Sequence, residues 1–329
     1  MEEISLEPVG GVRITTLIDN AIDVLMPDQG FIKRWGPVGT SAPIPVIPAE
    51  VADGGKTVDF LRAEHGYSAL IEIEKAGRTH RVLFDAGVTP DGLIGNLDRL
   101  SISPETFEAI VLSHGHFDHT MGMDGLIRRL GRSNLPVLIH PEFWTRRRTV
   151  SPGGGAFELP LTSRSALEDV GFDIVEDVRP SFLLDGSLLI TGEVDRTTEF
   201  EKGMPIHQAL RGGDWEPDPL ILDDQAAVLH VRDKGLVVLT GCGHAGIVNI
   251  VRYAKKLTGI DEVYAVIGGF HLTGGLFEPI IPQTIAALVA ESPAIVVPAH
   301  CTGWKAVHRL ASELPDAFVP NSVGTRYEL

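Results

Sequence analysis

Cysteine is almost missing from these 329 residues, which hold only Cys242 and Cys301. Two thiols cannot staple a disulfide scaffold, so the chain must rely on an ordinary hydrophobic core, and a reducing, cytoplasmic setting is the simplest expectation. Positive charge is also scarce. Lys and Arg number 28 against 44 Asp and Glu, a net charge of −16, which argues against nucleic acid or an anionic membrane as the principal partner. No apolar run approaches the length of a membrane-spanning helix. The opening Met1-Glu2-Glu3-Ile4-Ser5 lacks the basic residues and apolar stretch of a signal peptide. No segment is of low complexity and no short period repeats. What is present is 43% hydrophobic residues, enough for a large core, and a site that would serve a small molecule. The length would allow two domains, but α/β domains of this size are often single, and residues 1–329 read as one.

Apolar runs mark the strands. Val12 to Ile18, Ser68 to Glu74, Arg81 to Phe84, Ala109 to Leu112, Leu135 to His140, Ser187 to Thr191, Gln225 to Val231, Gly235 to Thr240, Glu262 to Ile267 and Ala294 to Val297 have strand character. Between them, Asp124 to Leu130, Ile247 to Leu257, Pro282 to Glu291 and Trp304 to Leu314 have helical character. Two stretches show neither period. Residues 143–161 carry Arg146-Arg147-Arg148 and Gly153-Gly154-Gly155; the arginines read first as a solvated face and second as contacts for an anionic substrate. Residues 22–61 are rich in Pro and Gly and contain Phe31 and Trp35. An aperiodic stretch of that length with two large aromatics predicts a lid, with Phe31 and Trp35 walling a substrate pocket.

The densest chemistry is Ser113-His114-Gly115-His116-Phe117-Asp118-His119, directly after an apolar run. His114 and His116 are two apart, so in extended chain they leave the same side and can grip one ion. Asp118 and His119 follow at a turn, where side chains can diverge toward a second. His244, His271 and His300 also stand just beyond strand patterns, and Cys242 lies beside His244. Ligands of open α/β sheets gather beyond strand C-termini, so these residues can converge on one metal site. Asp85, at the end of another strand, is a cap, a turn residue or a carboxylate that orients a metal-bound histidine. His65, His80, His140, His207, His230 and His308 lack this context and read as surface or packing residues.

Ser113–His119 resembles the H-x-H-x-D-H signature of the metallo-β-lactamase superfamily, Phe84-Asp85-Ala86-Gly87 its preceding Asp turn, and Pro298-Ala299-His300 its last metal histidine. Glu64 to Ala69, Thr240 to Gly246, Ile267 to Leu272 and His300 to Gly303 resemble one branch, that around the dihydropterin ribofuranosyl-aminobenzene phosphate synthases. The resemblance implies an α/β four-layer αββα sandwich with a dinuclear site. His114 and His116 match ligands of the first ion, and Asp118, His119 and His300 match ligands of the second. Two departures stand out. The superfamily's Thr-Pro-Gly-His is replaced by Thr191-Gly192-Glu193-Val194, and its bridging Asp by Cys242. His244 is the first choice for the missing ligand and Cys242 a chemically fair one; His271 either completes a metal shell or faces the substrate.

From this pattern the leading expectation is a hydrolase with two divalent ions, zinc before manganese or iron, acting on a phosphoester or lactone. Asp118 would orient the attacking water and His271 would assist the leaving group. A second expectation keeps the metals and changes the reaction: the branch's namesake joins a pterin to an aminobenzene derivative with loss of pyrophosphate. A third is a metal-binding protein without turnover. An iron oxidoreductase is disfavoured because nothing resembles an appended flavin domain.

Overall fold

Runs rich in Val, Ile and Leu pair into two large sheets, and their two-residue alternation decides what lies between and outside them. The computed structural model describes residues 4–39 and 43–329. The first sheet has eight strands in the order Asp173–Glu176, Pro136–Ile139, Ala109–Val111, Arg78–Phe84, Ser68–Lys75, Val12–Ile18, Arg326–Glu328 and Ile32–Lys33. The second has six, in the order Ser181–Leu183, Leu188–Ile190, Ala227–Val231, Gly235–Thr240, Val263–Gly269 and Ile295–Ala299.

Ala69, Ile71, Ile73, Val82 and Phe84 of the first sheet meet Leu229, Val237, Leu239 and Ile267 of the second in one inter-sheet core. Their neighbours in sequence point the other way. Leu70 and Leu83 pack under Leu93 and Leu97 of helix Gly92–Leu100 and Leu126 of helix Met123–Leu130. Leu236 and Val238 pack under helix Ile247–Thr258, and Val266 under helices Ile281–Glu291 and Trp304–Glu313. The result is four layers, helix–sheet–sheet–helix. Burying each of these aliphatic side chains contributes about 1.5–3 kcal/mol, which is why strands apolar on both faces end up between layers.

Parallel pairing then fixes where the chemistry goes. Arg78–Phe84, Ala109–Val111, Pro136–Ile139 and Asp173–Glu176 run parallel in the first sheet, and Gly235–Thr240, Val263–Gly269 and Ile295–Ala299 in the second. Their C-terminal turns are stitched across the sandwich: the Gln225 side chain donates to Leu112 O at 3.0 Å, and the His300 amide donates to Asp19 Oδ1 at 2.7 Å.

Two stretches differ from expectation. Residues 143–161 contain a hairpin, Arg147–Val150 with Ala156–Glu158, turned at the three glycines. It joins His207–Arg211 and Asp214–Pro217 in a four-stranded sheet. Residues 22–61, of which 40–42 lie outside the described residues, contribute strand Ile32–Lys33 and a hairpin of Val46–Pro48 with Lys56–Val58. The expected pocket-wall role of Phe31 and Trp35 is corrected. Trp35 is 2% exposed, packed with Leu61 and Val323 and edge-on to Phe60. Phe31 packs on the inter-sheet core. Trp35 is taken up wholly by packing and Phe31 in part, and neither lines the cavities at the histidines. Among the described residues no helix is long and apolar enough to cross a membrane.

Candidate metal centre

The turn after Ala109–Val111 places the first ligands. Gly115 is required there, since a Cβ would stand 2.3 Å from the Phe143 carbonyl oxygen. Its amide donates to Asp223 Oδ2 at 2.8 Å, so the backbone between His114 and His116 is held. His116 keeps an extended backbone, and helix Phe117–Thr120 then turns Asp118 and His119 away from it.

Two sets of donor atoms result, each within 4.8 Å of one another. His114, His116 and His244 form the first, with His244 Nε2 3.1 Å from His116 Nδ1. Asp118, His119, Cys242 and His300 form the second. There His300 Nε2 stands 3.3 Å from Asp118 Oδ2, and His119 Nε2 3.2 Å from Cys242 Sγ. Cys242 also groups with His244 and His271, so its sulfur lies between the sets. All the residues of the first two sets are buried.

The donors fit cations. His114 Nε2 and His116 Nε2 are buried without any hydrogen-bond partner, an arrangement that costs about 1–3 kcal/mol per atom unless something else fills the space. Burial first, then the neighbouring imidazoles, pushes His114, His116 and His244 well below the usual histidine range, so their rings are neutral ligands at neutral pH. Burial alone would raise Asp118, but His119 and His300 outweigh it and hold the carboxylate ionised. Nitrogen, carboxylate and thiol donors at this spacing suit a divalent metal ion.

A ring of further residues aims the ligands. Asp85 Oδ2 lies 2.7 Å from both His119 Nδ1 and Ser113 Oγ, and Oδ1 accepts the Ser113 amide at 2.7 Å. Burial would lower His119, but Asp85 and Asp118 raise it to about 9. His300 Nδ1 stands 3.0 Å from Asn20 Oδ1. Asp224, pushed up to about 7 by burial, accepts the Ala245 amide beside His244 and lies 4.0 Å from His114 Nδ1. Asp85, His271 and His300 all carry positive φ (57°, 43° and 47°), strain that clusters where geometry is over-determined.

The structure thus brings together His114, His116, Asp118, His119, Cys242, His244 and His300, sets His271 alongside with its ring 4.2 Å from His244, and puts Asp85 behind them. Two histidines read as surface or packing residues belong with them. His65 Nε2 is 3.6 Å from Asp118 Oδ2, and His207 is buried with its ring 4.8 Å from His116. His65 sits inside Glu64-His65-Gly66-Tyr67, a motif already singled out. His207 begins a short strand of the four-stranded sheet, which had no sequence signal. Burial and Arg147 push His207 down to about 4. Arg147 itself is neither solvated nor open to an anion: it is 3% exposed and held by Asp218 and Asp223. His65, Phe117, Leu159, Met204, His207 and Thr273 complete a cavity over the ligands.

Known proteins match this arrangement. The metallo-beta-lactamase superfamily model matches residues 61–300. The chain is 34% identical over 260 residues to the 7,8-dihydropterin-6-methyl-4-(beta-D-ribofuranosyl)-aminobenzene-5'-phosphate synthase of Methanocaldococcus jannaschii, covering 78% of this chain and 87% of that protein. It is 34% identical over 249 residues to an uncharacterized protein of the same organism, covering 76% and 88%. A solved metal-dependent hydrolase of the beta-lactamase superfamily superposes with a TM-score of 0.71 at 22% identity over 97% of this chain and 99% of that one, a likeness of fold. The expected hydrolysis of a phosphoester or lactone is corrected by the first relative, which is named for a synthesis; the H-x-H-x-D-H motif reports metal ligation and is silent on which bond is made or broken. With its αββα layers, its clustered histidines and the matched residues 61–300, the chain belongs to the metallo-beta-lactamase superfamily.

Proposed function

We propose that this protein is a metal-dependent synthase that couples a reduced pterin to an arylamine bearing a phosphorylated ribose. The amine nitrogen forms a bond to the pterin's methylene carbon, the carbon–oxygen bond to a pyrophosphate group breaks, and the amine gives up a proton. The observation that carries this reading is the 34% identity to the M. jannaschii synthase across 87% of that protein, joined to a site of two donor sets.

His114, His116 and His244 would hold one divalent ion, and Asp118, His119, Cys242 and His300 a second, with zinc the best match to this N, O and S mixture. When bound, such ions supply positive charge to the oxygens of the departing pyrophosphate. The remaining work belongs to the side chains. His207, kept neutral by burial and Arg147, can accept a hydrogen bond from a substrate N–H. His65, with Nε2 3.6 Å from Asp118 Oδ2 in the cavity lining, can donate to leaving-group oxygens. Leu159, Met204 and Phe117 limit water around the reacting carbon, which favours the amine over solvent as nucleophile.

The test is pyrophosphate release by metal-analysed protein. Pyrophosphate should appear only when the pterin diphosphate and the arylamine are both present, with the coupled product in equal amount. Pyrophosphate or phosphate released at the same rate without the arylamine would overturn the reading.

A further inference from the structure

Beside the cavity over the ligands lies a second one of about 240 Å³, walled by Phe200, Leu272, Leu276, Phe277 and Ile280. His244 and His271 line both, so the two cavities adjoin at these histidines. The Phe277 ring stands perpendicular to His271 at 4.5 Å, which makes the wall continuous with the ligand cluster. Glu201 also borders this space, but its carboxylate is committed to the start of helix Ile247–Thr258, accepting the Val248 and Asn249 amides at 3.0 Å each. Lys202, exposed at the mouth, is the cation that reaches it.

These walls discriminate between the two halves of the proposed product. A pterin is a bicycle edged with hydrogen-bonding atoms, for which the five apolar side chains offer no partner; only His244 and His271 at one end and Lys202 at the rim could pair them. A benzene ring has no such edge, and an apolar cavity near 150 Å³ suffices for one. A single cation at the rim suits an anionic substituent on that ring.

Building on the proposed coupling reaction, we infer that the Phe200–Phe277 cavity is the arylamine subsite: it seats the benzene ring against Phe277, turns the amine toward His244 and His271, and offers Lys202 to the anionic end. The pterin then occupies the cavity bordered by His65, Phe117 and His207. Two cavities that share His244 and His271 give each partner of a two-substrate coupling a place beside the other.

The experiment has two arms on the metal-loaded full chain, applied to wild type, Phe277→Ala and Lys202→Ala. The first measures KM for each substrate in the coupling assay. The second measures contact with 4-aminobenzoate by saturation-transfer NMR. Phe277→Ala should raise the arylamine KM about tenfold or more, and Lys202→Ala several-fold, with the pterin KM and metal content unchanged. Both variants should weaken 4-aminobenzoate contact. A rise confined to the pterin KM, or 4-aminobenzoate contact equal in all three proteins or missing in wild type, overturns the subsite. If wild type does not couple yet binds 4-aminobenzoate in a Phe277- and Lys202-dependent way, the subsite stands and the coupling reaction falls. Lys202 is exposed, so its variant folds and keeps the test decisive if Phe277→Ala does not.

Discussion

Asp85 never touches the ligand cavity, yet it fixes two site residues at once, taking hydrogen bonds from Ser113 and standing 2.7 Å from His119 Nδ1. Only a carboxylate can serve all of these groups as an acceptor. Asp85→Asn should therefore fold but hold metal about 10–100-fold more weakly, read by chelator competition; unchanged affinity would show that the turn alone aims His119. His207 gives a pH prediction for chelator-treated protein. Unfolded, it takes a proton near 6.5; folded, it refuses one until about 4. Its native pKa is depressed, so the folded state loses stability as pH falls through that window, by about 3 kcal/mol when complete. His207→Leu should lose less stability than wild type between pH 7 and 4 in denaturant titrations; parallel curves would exclude this role. At this scale the sequence spoke clearly for His114, His116, Asp118 and His119, because their spacing is itself the geometry. It was silent on His207, whose neighbours arrive from a sheet assembled out of distant strands.

Among the elements, the segment Asp223-Asp224 has no regular structure and still ties both ligand-bearing turns together. Asp223 holds the Gly115 amide and Arg147, and Asp224 holds the Ala245 amide. Asp223→Ala leaves the buried Arg147 with Asp218 as its remaining partner, which should cost about 1.5–3 kcal/mol in urea unfolding, while replacing Arg147 and Asp223 together by apolar residues should recover part of it. Equal losses in the single and double variants would show that the Gly115 bond, not the ion pair, dominates. The long strands were legible because apolar runs of five to seven residues can only be buried between layers. The hairpin Arg147–Val150 with Ala156–Glu158 was not, because its second strand is wholly exposed and its first takes its pairing from His207–Arg211. The stretch 22–61 misled for a related reason: its aromatics signalled order correctly but not which surface they order against.

For the whole molecule, the two halves are joined by the inter-sheet core and, at the site, by the hydrogen bonds of Gln225 and Asp19. We read residues 1–329 as one domain, supported by strand Arg326–Glu328 lying between Val12–Ile18 and Ile32–Lys33. The excess of acidic residues, 44 against 28 basic, disfavours nucleic acid while leaving Lys202 and Arg147 to act locally, which is why total charge said little about the substrate. The grip of Asp19 and Asn20 on His300 has a further meaning for how the protein is made. During synthesis the ribosome delivers Asp19 first and His300 some 281 residues later. Until that late histidine emerges, the second donor set lacks a member, and Asp19 and Asn20 hold only Glu64, His65 and Gly66. The second donor set is accordingly assembled only after His300 has emerged, whereas His114, His116 and His244 of the first set are already present by then.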